Sequence, residues 1–271
     1  MTLTREQKSI EELKQELQQA RSYLVELHAQ LDDINLRLKP ALEMEYALKV
    51  GVWETECAKA DLCARRMKRM CELAQARVNR GQAIDWDAID LHLDAELEEW
   101  IAGVNACVAS LQKHMDQRAA MGFLSTADAH ELKMLHRKLV KRLHPDLNPE
   151  NPEAHRYFAL VQAAYENGDL AFLRSLDVAT AGLDARESEG EEDEDALHID
   201  IELALAQVAF MEERIEREKS GKPYVFKDLL KDAVWVESKV APLRARVEEL
   251  RGIERAYRRR IEVLKGAENG R

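Results

Sequence analysis

Ser125-Thr126-Ala127-Asp128-Ala129-His130-Glu131-Leu132-Lys133-Met134-Leu135-His136-Arg137-Lys138-Leu139-Val140-Lys141-Arg142-Leu143-His144-Pro145-Asp146 is the stretch on which the fold turns. It opens with residues that cap helices and continues with helical periodicity from about Ala129 to Leu143. At about 100 degrees per residue, Leu132, Leu135, Leu139 and Leu143 fall in one apolar stripe. Lys133, Arg137, Lys138 and Lys141 spread over the opposite side, and Arg142 flanks the stripe. One face is therefore suited to packing and the other is basic. Pro145 fixes its own backbone angle and disfavours helix at His144, so the helix must end there.

Beyond that corner, Asn148-Pro149 and Asn151-Pro152 are turn-forming dipeptides, and a second helix is expected from about Glu153. Phe158, Val161 and Tyr165 are spaced by three and four residues, which lines them along one face able to cover the leucine stripe. The expected product is a helical hairpin whose tip presents His144, Pro145 and Asp146 beside a positive surface, an arrangement suited to an acidic partner.

Arg137-Lys138-Leu139, Leu143-His144-Pro145-Asp146 and Phe158-Ala159-Leu160-Val161-Gln162-Ala163-Ala164-Tyr165-Glu166 together resemble the J-domain of the DnaJ co-chaperone family. The resemblance covers residues 125–176 and implies a docking element for a DnaK-type chaperone ATPase. It implies docking charge from Lys133, Arg137, Lys138, Lys141 and Arg142. It further implies that Asp146 is the polar contact most sensitive to loss, while His144 and Pro145 hold the loop. The ATP site on this reading belongs to the partner. No counterpart of the family's first helix is recognisable, so the preceding long helix is expected to brace the hairpin. Leu170, Phe172, Leu173 and Leu176 replace the charges usual in the family's fourth helix, and neither a glycine-phenylalanine linker nor a cysteine-rich zinc region follows.

Working outward, Leu3, Ile10, Leu17, Leu24, Leu31 and Leu38 recur at heptad spacing, with Leu13, Ala20, Leu27 and Ile34 on the companion seam. Pro40 is expected to interrupt this helix. The seam resumes through Tyr46, Val50, Trp53, Cys57, Ala60, Ala64, Met67, Cys71, Ala74 and Val78. After a break at residues 81–87, the positions from Leu93 to Met115 mark a third long helix, and the three are expected to pack as an antiparallel bundle over residues 1–124. On the other side, residues 179–197 contain an acidic run from Asp184 to Asp195 that reads as a solvated linker. Residues 198–271 carry two further apolar seams, one through Ile201, Leu205, Val208 and Ile215 and one through Val236, Leu243, Leu250, Tyr257 and Leu264 with Val240, Val247 and Ile261. They are expected to form a helical hairpin across the turn Ser220-Gly221-Lys222-Pro223, with a kink at Pro242.

Composition fits an all-α chain: of 271 residues only 11 are Gly and 6 Pro, 6% are aromatic and 34% are charged, which suits long helices with solvated faces. The net charge of −11 argues against general affinity for nucleic acid or anionic lipid. The Arg251 to Arg260 cluster is interleaved with Glu248, Glu249, Glu254 and Glu262, which reads as intrahelical pairing. Cys57, Cys63, Cys71 and Cys107 are spaced too widely for a metal or redox motif and are expected to be reduced thiols. No phosphate loop, metal-ligand cluster or paired nucleophile is apparent, so no enzymatic activity and no cofactor are expected. Without an apolar leader or a membrane-length segment, the expected location is the cytoplasm. The heptads leave self-association open. The competing expectation is a coiled-coil scaffold whose J-like segment is degenerate and inactive.

Overall fold

The computed structural model describes residues 9–120, 125–146, 148, 151–181, 183 and 194–269. Leu3 and most of the acidic run, residues 184–193, lie outside them. The fold is all-α, with no strand among the described residues. Helix α1 spans Ile10–Asp32 and starts from a reciprocal capping box between Ser9 and Glu12. A π-helical stretch, Asp33–Leu38, leads into α2 (Lys39–Tyr46), and a second, Ala47–Gly51, into α3 (Val52–Asn79). Then follow α4 (Trp86–Glu96), α5 (Glu98–Ala120), α6 (Thr126–Leu143), α7 (Pro152–Asn167), α8 (Leu170–Ala179), α9 (Glu194–Ser220), α10 (Phe226–Leu229) and α11 (Ala233–Asn269).

Several expected boundaries move. Pro40 does not end its helix: Lys39 keeps φ −61° and ψ −50°, and Pro40 sits near the start of α2. The π turn before it already shifts the hydrogen-bond ladder, so the missing amide hydrogen falls where the ladder is out of register. Pro242 likewise lies inside α11. Leu97 divides the expected third helix, its backbone leaving helical geometry at φ −105° and ψ 11° between α4 and α5. Glu194 and Asp195, counted above with the acidic run, form the first turn of α9, where negative charge faces the positive end of the helix dipole.

The chain divides into two compact units. Residues 1–42 and 122–225 form the first. In it α1 lies along α9, with Leu13, Leu17 and Ala20 against Leu197, Ile201 and Ala204, and Leu24, Leu27, Leu31 and Ile34 against Val208, Met211 and Ile215. Helices α6, α7 and α8 enclose a second core of Leu132, Leu139, Leu143, Ala154, Val161, Ala164, Tyr165, Leu173 and Leu176. Gly168 adopts the left-handed conformation, φ +69°, that turns the chain from α7 into α8.

Residues 43–121 and 226–271 form the second unit, built on the pairing of α3 with α11. Ala60 and Ala64 meet Val247 and Leu250, while Met70, Cys71 and Ala74 meet Ile261 together with Ile89 and Leu93 of α4. Arg66 clamps α4 through Asp90 at 2.8 Å and Asp94 at 2.6 Å. All four cysteines are free thiols. Arg251 and Arg258 pair within α11 with Glu248 and Glu254. Helix α1 pairs with α9 and α3 with α11, in place of the expected hairpin of 198–271; of the expected bundle of residues 1–124, the packing of α3 with α4 and α5 is adopted. A heptad seam specifies that a partner is needed, not which seam supplies it.

Leu139 is fully enclosed at 0% exposure. Leu139→Ala is expected to destabilise the first unit by about 2–5 kcal/mol in urea unfolding, whereas Val178→Ala, at an 79% exposed position, should change it by no more than about 0.5 kcal/mol. Equal effects would contradict the core assignment.

Candidate functional site

The corner after α6 is pinned by its own backbone. Ser125 caps the start of α6 by accepting from the Asp128 amide, and His144 closes its end with φ −59° and ψ 133°, outside the helical region as the following proline requires. The His144 amide still donates to the Val140 carbonyl at 2.9 Å, and the Asp146 amide donates to His144 Nδ1 at 3.1 Å. Asn148 Nδ2 donates to the carbonyls of Arg142 and His144 at 3.0 and 3.2 Å, a brace within the corner that the sequence reading treated only as a turn residue. Asn151 then caps α7, accepting from the amides of Glu153 and Ala154 with Pro152 at the first helical position.

His144 is buried, Pro145 is half-buried and Asp146 is exposed. The His144 ring lies between His28 of α1, centroids 3.8 Å apart, and the edge of Phe158 at 4.9 Å. His28 Nε2 is 2.9 Å from Asp146 Oδ2. Burial, reinforced by neighbouring His28, pushes the His144 imidazole down to about 4. Burial also lowers His28, against the opposing pull of Asp146.

On the basic side, Lys133, Arg137, Lys138 and Lys141 are all exposed. Lys133 bonds Asp33 at 2.9 Å and Lys138 bonds Asp177 at 2.8 Å. Arg137 and Lys141 have no ion pair among the described residues. Arg142 is different. Its guanidinium is buried and donates to the Asp177 carbonyl and carboxylate at 3.0 Å each and to Thr180 Oγ1 at 3.1 Å. The charge expected on the docking face instead fastens α8 to α6. Lys138, and after it Arg142, holds the Asp177 carboxyl below its usual range.

Of the expected hairpin core, Leu132, Leu139, Leu143, Val161 and Tyr165 are buried, while Leu135 and Phe158 are half-buried against them. His136 faces Tyr165 and His144 faces Phe158, so position numbers rise along α6 as they fall along α7 and the two helices run antiparallel.

A brace for the hairpin, expected from the helix preceding α6, is supplied within the first unit by α1 and the π-helical stretch that follows it. Tyr165 donates its hydroxyl to Asp33 at 2.8 Å, stacks on buried His136 at 3.8 Å, and has its carbonyl bonded by Arg37 at 3.1 Å. Burial first, then the Asp33 carboxylate, raises the Tyr165 phenol. Asp32 lies 3.4 Å from His136 and accepts from Gln162 at 3.3 Å. These residues of α1 and of the π-helical stretch after it were missed because only the apolar heptad was read. The available signal was His28, Asp32 and Asp33, ionisable residues close together on a helix whose heptad already accounted for its apolar positions.

Residues 119–167 match the DnaJ domain family. Over this region the chain is 45% identical across 53 residues to the chaperone protein DnaJ of Neisseria meningitidis serogroup C, and 46% identical across 52 residues to that of Brucella canis. These alignments cover 20% and 19% of this chain and 14% of each relative's own length. No solved structure matches the chain. The hairpin is thus a J-domain segment embedded in a longer helical protein, and no described helix is long and apolar enough to cross a membrane.

Tyr165→Phe keeps the stack on His136 but deletes the bond to Asp33, and urea unfolding of the first unit should register a loss of about 1–3 kcal/mol. A neutral result would show that α1 does not brace the hairpin through this contact. Because the folded Asp177 carboxyl is depressed, its contribution is present above the ordinary carboxylate range and lost as pH falls through its folded value. The stability gap between wild type and Asp177→Asn should therefore be largest at neutral pH and close steadily on acidification. A pH-independent gap would contradict the ion pairing.

Proposed function

We propose, from the J-domain character of residues 119–167, that this protein docks on a DnaK-type chaperone and stimulates its ATPase through the His144-Pro145-Asp146 corner. The observation that carries this reading is the exposure of Asp146, on a hydrogen-bonded corner, at the end of a helix whose Arg137 and Lys141 are exposed. A charge held on a rigid corner loses little freedom on binding, so its contact with a partner is worth more than that of a mobile side chain. Lys133 and Lys138 supply further positive charge on the same helix while paired to Asp33 and Asp177. ATP is bound and hydrolysed by the partner, and this chain contributes only recognition.

A second reading has its own support. His28 lies against Asp146, and both long seams are satisfied inside the chain, as in a scaffold whose J-segment is inactive. Single-turnover ATP hydrolysis by a DnaK-type chaperone separates the two. The wild-type chain should accelerate it, Asp146→Asn should return the rate to its basal value with helix content unchanged, and Arg137→Ala with Lys141→Ala should weaken the effect more at low salt than at high salt, where these exposed charges are already screened. No acceleration by the folded wild-type chain at saturating concentration would leave the scaffold reading.

A further inference from the structure

His28, His144 and Asp146 converge from two separate elements, α1 and the corner after α6, with one ligand-type atom of each within 4.8 Å of the others. The J-domain reading uses Asp146 as an outward-facing contact and leaves His28 unexplained. His28 Nε2 is buried and lies 2.9 Å from Asp146 Oδ2, yet makes no hydrogen bond to it, because the ring nitrogen does not point along the line to that oxygen. A nitrogen that shares an ion with a carboxylate has this disposition, its lone pair aimed at the ion and passing beside the oxygen.

The separations suit a small cation. Metal–ligand lengths of about 2.1 Å place neighbouring ligands of a tetrahedral site about 3.4 Å apart. Here the Asp146 oxygen is 2.9 Å from His28 Nε2 and 3.7 Å from His144 Nδ1. His144 Nδ1 accepts the Asp146 amide at 3.1 Å, which leaves that nitrogen unprotonated and the ring's orientation fixed, and ligation through Nδ1 exchanges this bond for the ion. Metal ions bind both imidazoles in their neutral form. Around them, Asp32 of α1 adds negative charge and Arg214 of α9 adds positive charge, so the local charge including Asp146 favours a cation by one unit.

We propose that His28, His144 and Asp146 form a binding site for a divalent transition-metal ion of the zinc class, tying α1 to the J-domain corner. Two imidazoles and one carboxylate are the ligand set of zinc-type ions rather than of calcium or magnesium, which take oxygen ligands. Three protein ligands leave a coordination position for water or for a partner's group. A bound ion engages the Asp146 carboxylate beside α1, where it already lies 2.9 Å from His28. The consequence for chaperone docking rests on the function proposed above, whereas ion binding itself does not.

The test uses the full chain without any chaperone, so its outcome is independent of the ATPase assay. Calorimetric titration with zinc should give a site of one ion per chain. His28→Gln, verified as folded by its circular dichroism, should bind at least about tenfold more weakly, since losing even an outer-shell partner of a metal ligand costs about 10- to 100-fold. His92→Gln, altering an exposed histidine of α4, should bind as wild type does. Cobalt substituted at the site should show no thiolate charge-transfer band. Absence of zinc binding, binding equally strong in His28→Gln, or a thiolate band lost on replacing the cysteines would each overturn the proposal.

Discussion

Helix α6 must bury two sides at once, and the first unit is arranged around that requirement. Its leucine stripe is covered by α7 and α8, which any hairpin with this sequence would provide. His136, the neighbouring fully enclosed polar side chain, needs a second cover, because a buried imidazole without polar company is costly. Helix α1 sets the Asp32 carboxylate 3.4 Å from His136 Nε2, close enough for charge contact though not a hydrogen bond, while Asp33 takes the hydroxyl of Tyr165, whose ring stacks on the same imidazole. A polar contact between sequence-distant helices is thereby what orients the hairpin. Its energetic weight comes from burial, since comparable pairs on an open surface contribute little.

The corner depends on the same arrangement. Pro145 ends α6, but proline alone would leave the loop free to move. The Asn148 bonds to the Arg142 and His144 carbonyls, the His144 ring wedged between His28 and Phe158, and the Asp146 amide on Nδ1 fix it in one conformation. Asp146 is left exposed while its neighbours are immobilised. This division of labour, one reactive side chain held by several silent ones, suits a recognition element that must meet a partner without reorganising.

Much of this is legible in the sequence alone. The leucine stripe, the break at Pro145 and the Phe158, Val161 and Tyr165 face follow from periodicity and backbone chemistry, both local properties. What was not legible was partner choice. The seams of α1, α3, α9 and α11 all announce a need for burial, yet nothing in a heptad says that Leu24 should meet Met211 or that Ala64 should meet Val247. Arg142 was misplaced for a related reason: a basic residue at the edge of a stripe reads as solvent-facing until Asp177 and Thr180, more than thirty residues on, are brought beneath it. His28, Asp32 and Asp33 are polar positions on a coiled-coil-like helix, which ordinarily face water. Their use as an inward polar surface appears only when α6 is laid against them.

The central claim is that the exposed basic side of α6 and the corner at its end form one recognition surface. Backbone hydrogen exchange of the full chain, with and without an ATP-state DnaK-type chaperone, tests it most directly. The account predicts added protection concentrated in the second half of α6 and in residues 144–151. Protection confined to α9, α11 or other regions, or no protection at saturating chaperone, would contradict it.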